Sequence, residues 1–528
     1  MPTAPSYPGV YINELPSSVH TITGVPTSIA AFIGPAKQGP INVATQVNSW
    51  ADFERGYGGL LPGTEMSYGV YQFFLNGGAT AQIVRAANGA TPASITLAGT
   101  IPDPAAKDPA PFLALAASSA GSWANNLQVT ITEPPTLGAP NQAPSASKAE
   151  DDTTTLPTYN LTITDASTGN TENYFRVSTL DNDPNNLANQ LLSSALVTIF
   201  PGSTATLKVS ASTPATTAGS DGTAPEPMDL VTAAQAALPN VDIFNMLCVP
   251  DAAVNPWKPG DATAFTYETV LEDLESICAD RRAILLVDPP EGWPAANSAT
   301  VTLENQLLLS GEKYTNSAIY YPRVSIVDPA TGAVRQVGPS GTMAGVYAAT
   351  DAARGVWKAP AGTAATLVGA VDLETKLNDA DNGTFNPLGV NCLRNFPIYG
   401  PVSWGARTTA GSDQVGSQWK YVPVRRLALF IEESLYRGTK WVVFEPNDEP
   451  LWSSIRLNVG SFMNGLYRQG AFQGSTPQQA YLVKCDADTN PQSSIDQGVV
   501  NIVVGFAPLK PAEFVFINIE QLAGDLAG

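Results

Sequence analysis

The chain runs to 528 residues, 44% of them hydrophobic and only 14% charged, which exceeds one ordinary core and implies roughly three or four domains under a thin coat of surface charge. Its 27 Lys and Arg against 47 Asp and Glu leave a net charge of -20, so phosphate backbones and anionic bilayers are repelled; neither nucleic acid nor membrane is expected as a partner. The 4 cysteines, Cys248, Cys278, Cys392 and Cys485, lie far apart with no C-x-x-C pair and read as reduced, packed thiols.

The start, Met1 to Val10, has neither a basic n-region nor an apolar h-region, and no stretch is long and apolar enough to span a bilayer, so a soluble protein of the producer's cytoplasm is expected. Residues 1–20 read as an extended arm: Pro5 and Pro8 forbid helix, and Gly9 to Glu14 alternates as a short strand does. Residues 21–90 follow as the N-terminal part of a core, with a strand in Thr27 to Gly34, a helix over Thr64 to Leu75 ending at Asn76-Gly77-Gly78, and a strand at Ala81 to Arg85.

From 91 to 228 the composition turns to Thr, Ser, Ala, Pro and Asp, with alternating runs at Asn126 to Thr132 and Tyr159 to Ile163, which predicts a β-rich, peripheral insertion. Its stretches Pro134 to Thr155 and Ser210 to Pro227 are poor in apolar residues and read as loops or linkers. Residues 229–395 alternate helix and strand: a helix at Leu230 to Leu238, a strand at Val241 to Val249, a helix at Tyr267 to Ala279, strands at Ala283 to Val287 and Ala318 to Val327, and a helix at Thr342 to Arg354. That order implies βαβ crossovers and a largely parallel, buried sheet.

Residues 396–528 predict an α+β unit. A helix spans Val424 to Arg437, a strand Lys440 to Phe444, and a second helix opens at Glu445-Pro-Asn-Asp-Glu-Pro450, with Asn447 or Asp448 as cap. Strands are expected at Gln479 to Cys485, Val499 to Gly505 and Glu513 to Ile519. Both ends of the chain are thus strand-like without a local hairpin partner, and such edges recruit another chain. The fold class is α/β and α+β multidomain.

Catalysis finds little to stand on. The one histidine, His20, sits in the extended arm, away from any scaffold that could hold it in a nucleophile-base pair, and reads as a solvated or interface side chain. Gly34 to Gly39 has P-loop glycine spacing, but Pro40-Ile41 stands where Lys-Ser/Thr must reach phosphate. Asp486-Ala-Asp-Thr-Asn490 begins like a calcium loop, yet Pro491 occupies the glycine position and Gln497 that of the bidentate Glu. Adjacent carboxylates, Glu432/Glu433 and Asp151/Asp152, read as solvated surface, and the pairs Arg281/Arg282 and Arg425/Arg426 as isolated cations able to meet acidic patches on a neighbour. No catalytic residue, cofactor or metal is expected.

Several segments, in order, resemble the contractile tail sheath family of phages, R-type bacteriocins and extracellular contractile injection systems. They are Tyr7-Pro-Gly-Val-Tyr-Ile-Asn-Glu14, Gly24 to Gly34, Gln38-Gly-Pro40, Phe53 to Gly59 and Tyr71 to Gly78 near the start. Near the end they are Phe444 to Trp452, Leu466 to Gly474, Lys484-Cys-Asp486 with Thr489-Asn490, and Pro508 to Phe514. The specificity lies in their number and order, since no one of them carries chemistry.

The resemblance implies that residues 229–395 have a subtilisin-like fold without catalysis, as that region lacks histidine. It implies stacked hexameric rings around an inner tube, ended by baseplate and tail cap or terminator proteins. Subunits would be linked by arms at about residues 7 to 14 and 512 to 520, with Gly9, Val10, Tyr11, Ile12, Glu513, Phe514, Val515, Phe516 and Ile517 as the linker strands. The helix Leu451 to Arg468 would face the tube, through Arg456 and Arg468. Contraction would switch the same rigid domains from a kinetically trapped packing to one of lower free energy. A soluble adhesin is the alternative, suggested by the Thr- and Ser-rich insertion.

Overall fold

The computed structural model describes residues 20–99, 112–134, 158–178, 183–203, 205, 207–253, 267–290 and 314–518. Its centre is a sheet of eight strands. From edge to edge these are Gly400–Ser403, Val390–Phe396, Ser317–Tyr321, Ile284–Val287, Met246–Cys248, Ala30–Gly34, Ala81–Arg85 and Ala44–Val47. The inner six run parallel and the two edge strands antiparallel.

The strands Ala30–Gly34, Met246–Cys248 and Ile284–Val287 at the middle of the sheet carry no polar side chain because both faces are covered. Ala31, Ile33, Leu247 and Leu285 face the helices Pro227–Ala237 and Tyr267–Arg281, while Ala30, Phe32, Met246 and Ile284 face Met66–Leu75 and Ser340–Arg354. The latter two helices pack so tightly at Gly69 and Gly341 that a Cβ on Gly341 would lie 2.3 Å from the Gly69 carbonyl oxygen. Segments 21–90 and 229–395 therefore share one sheet and both of its cores, and the hairpin from Val390–Phe396 to Gly400–Ser403 carries that sheet past residue 395.

The run Ala318 to Val327 is two strands, not the expected one. Pro322 has no N–H for a ladder, so Ser317–Tyr321 ends before it, and Val324–Val327 joins a separate antiparallel sheet with Val334–Val337 and Ala370–Leu373. The expected strand Val241 to Val249 contracts to Met246–Cys248, because the chain first closes a short turn at Leu238–Asn240.

Between segments 21–90 and 229–395 lies a body with its own core, built from Leu127, Val129, Ile131, Leu161, Ile163 and neighbours. One sheet orders Ser94–Ala98, Leu113–Ala117 and Val197–Ile199; the other orders Ser210–Pro214, Leu127–Thr132, Tyr159–Asp165 and Thr171–Val177. The stretch Ser210 to Pro227 is thus not a plain linker. Its first residues pair with Leu127–Thr132, and Thr217, Ser220 and Thr223 bridge back to Ser94, Thr91 and Asn88. Backbone ladders do not need apolar side chains, which is why composition hid this strand.

The last unit packs the helices Val422–Gly438 and Glu449–Arg468 against the hairpin Tyr481–Lys484 and Val503–Phe506, around Leu427, Ile431, Trp452, Ile455, Val459 and Met463. Asp448 caps the second helix by accepting from the Leu451 N–H at 3.3 Å, with Pro450 in the first turn. Asn447 instead accepts from the Trp452 indole at 2.8 Å. The expected strand Lys440 to Phe444 is absent: Lys440–Val442 is a single 3-10 turn, and Phe444 follows at φ 72°, fully exposed. A four-residue apolar run such as Trp441 to Phe444 fits a turn over a core as well as it fits a strand, and here Trp441 and Val442 pack onto the helices.

Candidate assembly interface

Both ends of the described chain depart from this last unit. At the N-terminal side His20 stacks on Trp441 with ring centroids 4.2 Å apart, and Ile22 is buried among Leu427, Ile431 and Trp452. The Val25 N–H donates to Ser434 Oγ at 3.2 Å, and Arg426 donates to the Thr27 carbonyl at 2.8 Å. Residues 20–27 thus lie along the Val422–Gly438 helix before the chain enters the sheet. Gly9, Val10, Tyr11 and Ile12 fall outside the described residues.

At the C-terminal side, residues 511–518 run out without pairing as a strand. Phe514, Val515, Phe516 and Ile517 are between 68% and 88% exposed. Successive side chains of an extended segment point to opposite sides, so this one is apolar on both. Exposing four large apolar side chains in a row costs the isolated chain about 1.5–3 kcal/mol for each that could be buried. Glu513, by contrast, is held: its carboxylate accepts from Arg407 Nε at 2.8 Å and Nη2 at 2.7 Å, and from the Tyr421 hydroxyl at 3.2 Å.

The hairpin Tyr481–Lys484 and Val503–Phe506 is a sheet of two strands, so among the described residues each has one edge without a strand beside it. Leu482 and Val503 stand exposed on it. The turn-like segment Asp486 to Asn490 between its strands is held by its own side chains: Asp486 Oδ1 accepts from the Asp488 and Thr489 N–H groups, and buried Asn490 accepts from the Asn501 N–H at 2.6 Å. Its acidic residues stabilise a loop.

Arg456 and Arg468 lie on the Glu449–Arg468 helix twelve residues apart, hence about 18 Å along its axis and on different sides. Arg456 is engaged by Glu449 and by the Cys485 carbonyl, whereas Arg468 is exposed at the helix end. Sequence reasoning missed the other cations' roles. Arg426, expected at most to meet a neighbour, is buried and pairs with Asp351 at 2.6 Å, its guanidinium 4.7 Å from the Tyr347 ring centre. Glu433, expected as solvated surface, pairs with Arg282 at 2.9 Å and Arg437 at 2.6 Å where the Val422–Gly438 helix meets the α/β body. Asp351 and Arg282 lie far away in sequence, so no local signal announced them, whereas the i,i+4 spacing of Glu433 and Arg437 on one helix did offer one.

The ionisable cluster nearest to an active site lies at the carboxyl ends of the parallel strands, where α/β folds place their ligands. Asp251 accepts from the Glu65 and Met66 N–H groups at 2.8 Å each, and Asp288 from the Ser340 N–H at 2.7 Å, so each carboxyl serves the start of a buried helix. Glu65 pairs with buried Arg323. Burial pushes Asp251 and Asp288 up to about 7. An acid raised in the folded state stabilises the fold below its unfolded value near 4, and that contribution is lost as pH climbs towards 7. Asp288→Asn, which keeps an acceptor for Ser340, is therefore expected to gain on the parent chain by about 1 kcal/mol or more between about pH 5 and about pH 8 in denaturant titrations. A difference that stays constant over that range would mean that the helix end keeps Asp288 ionised throughout.

All four cysteines are buried and unpaired; burial raises the Cys248 and Cys278 thiols far above their ordinary value and Cys392 to about 12. Among the described residues no group of three His, Cys, Asp or Glu could hold a metal ion, and no helix is long and apolar enough to cross a membrane.

The described chain is a mixed α/β multidomain protein with an apolar, unpaired arm and an open-edged hairpin. Residues 414–521 match the family described as the phage tail sheath C-terminal domain. Tail sheath proteins of Burkholderia phage BcepMu and Vibrio phage KVP40 are 26% and 24% identical over 254 and 240 residues, 47% and 45% of this chain. The matched segments cover 51% and 33% of those relatives, so the chain spans about half and a third of their length. Solved structures align over nearly the whole chain. The PVC sheath complex of an extracellular contractile injection system, in its contracted state, gives a TM-score of 0.57 at 22% identity, covering 99% of each chain. A sheath tail protein of Listeria innocua gives 0.57 at 14%, covering 93% of this chain and 96% of its own. The chain is similar to tail sheath proteins, and its residues 414–521 match their C-terminal domain; the adhesin reading finds no support in these relatives.

Proposed function

We propose that the chain is a structural subunit of a contractile tail sheath, which polymerises as stacked hexameric rings around an inner tube and contracts to drive the tube through a target envelope. The observation that carries this is the arm Phe514 to Ile517, apolar on both sides and unpaired, leaving the unit that also holds an open-edged hairpin. Laid along a neighbour's hairpin, the arm gains main-chain hydrogen bonds that hardly depend on side chains, so links persist while rigid bodies rotate. Residues 7 to 14 supply the second linker from the other end.

The α/β body is read as a subtilisin-like fold without catalysis: its buried carboxyls cap helices, and the chain's one histidine stacks on Trp441 in another unit. The 91–228 body is a peripheral insertion. Assembly in the producer's cytoplasm suits a chain of this charge, and baseplate and tail terminator proteins are the partners at the two ends. Arg468, free of the intramolecular contacts that occupy Arg456, is the better candidate for an acidic residue of the tube. Arg468→Glu is expected to weaken co-assembly with tube protein while leaving tube-free sheath polymer unchanged; equal co-assembly would remove Arg468 from the tube surface. The reading as a whole is tested by negative-stain microscopy of the purified chain, which should form long hollow tubes, and of the chain lacking residues 1–20, which should disperse.

A further inference from the structure

The geometry points to Arg407 and Glu513 as the clamp that fixes where the C-terminal arm starts and which way it leaves, an inference that rests on the arm-exchange reading above. Arg407 is fully buried, although it is a cation, and it belongs to the α/β body by its contacts. Its backbone N–H donates to Asn391 Oδ1 at 2.6 Å, and Asn391 Nδ2 donates in turn to the Arg407 and Ile319 carbonyls at 2.7 and 3.0 Å. Asn391 lies in the parallel strand Val390–Phe396, so the backbone that carries Arg407 is fixed to the central sheet. Its Nη1 is taken up by the Asn386 carbonyl at 2.8 Å and Asp413 at 3.0 Å, which leaves Nε and Nη2 as a fork with one orientation.

That fork meets Glu513 bidentately, and Tyr421 adds a third donor to the same carboxylate. A planar guanidinium and a planar carboxylate in this arrangement fix direction as well as distance. Beyond residue 508, Glu513 is the one described residue with hydrogen bonds to the rest of the chain, as Pro508 makes the last backbone bridge, to Phe472. The polar anchorage of an arm that follows the C-terminal unit in sequence is therefore on the α/β body. The free strand begins at Phe514, and a rotation of the α/β body carries the arm's origin with it. A cavity of about 720 Å³ lined by Trp357, Trp404, Tyr421 and residues 509–514 lies beside the clamp and gives the root room to swing once it is released.

The clamp makes a prediction that a merely structural ion pair does not. Glu513→Ala keeps the linking strand Phe514 to Ile517, so it is expected to polymerise, but into tubes of variable helical rise and twist. Glu513→Gln, able to accept from one arm of the fork, should be intermediate, and thermal unfolding of all three unpolymerised chains should nearly coincide, because Asp413 and the Asn386 and Gly411 carbonyls still hold the Arg407 guanidinium. The readout is the spread of helical parameters in cryo-electron micrographs, with a chain truncated after Glu513 measured beside them. If the truncation abolishes tubes while Glu513→Ala tubes are as ordered as the parent's, the clamp is wrong and arm exchange stands. If the truncated chain forms ordinary tubes, arm exchange fails and the clamp with it. If Glu513→Ala lowers the thermal midpoint markedly, the pair serves the fold and not the arm's direction.

Discussion

A chain truncated after Glu513 is expected to fold with an unchanged thermal midpoint and to lose polymerisation up to at least about 100-fold higher concentration than the full chain needs. Phe514, Val515, Phe516 and Ile517 are largely exposed in the single subunit, so removing them takes nothing from its core. Burying four such side chains against a neighbour gives about 6–12 kcal/mol gross, from about 1.5–3 each. Ordering each residue of the strand costs about 1–2 kcal/mol of backbone freedom. A remainder of a few kcal/mol per link is consistent with the stated shift, at 1.4 kcal/mol for each tenfold. Sedimentation over a concentration series reads it directly, and pelleting at the parent's threshold would remove this arm from the assembly contacts.

Asp351→Ala is expected to cost about 3–5 kcal/mol, because it leaves Arg426 buried without its carboxylate. Both side chains are 4% exposed, and the pair ties the Ser340–Arg354 helix of the α/β body to the Val422–Gly438 helix of the last unit. Arg426 also reaches the Thr27 carbonyl, so the entry of the N-terminal segment depends on the same guanidinium. Equilibrium denaturation should show the lower midpoint, and limited proteolysis should cut first between the two units. Adding Arg426→Met should recover much of the loss, since an apolar side chain of similar volume needs no partner. A single variant as stable as the parent would show that water reaches Arg426 readily.

How much of this was legible depended on whether the signal was local. The strands Ala30–Gly34 and Ile284–Val287 and the helices Met66–Leu75 and Glu449–Arg468 announce themselves by apolar runs, helical spacing and caps such as Asp448. Strand Ser210–Pro214 does not, because its pairing with Leu127–Thr132 is carried by backbone alone. The split at Pro322 and the turn at Lys440–Val442 were decided by which partners lie nearby, as short apolar runs fit several states. The sharing of one sheet by residues 30–85 and 246–403 is a matter of crossover connections that bridge an entire intervening body.

The candidate interface was legible at its outer end and illegible at its root. A run of consecutive apolar residues, Phe514 to Ile517, without a hairpin partner marks the arm from sequence alone. Arg407, by contrast, sits in Gly405-Ala-Arg-Thr-Thr409 with no charge pattern around it, and its partner lies 106 residues away. One signal was available in principle: a lone arginine in an uncharged stretch, in a chain with only 27 basic residues, needs a carboxylate from somewhere.

The central claim is that one subunit's arm completes another's hairpin, and a cryo-electron microscopy reconstruction of the polymer formed by the full chain tests it most directly. The account predicts that residues 514–518 lie as a strand along the open edge of a neighbouring subunit's Tyr481–Lys484 and Val503–Phe506 hairpin, with Phe514 to Ile517 covered. A polymer in which that segment folds back on its own subunit, or projects unpaired into solvent, would contradict it.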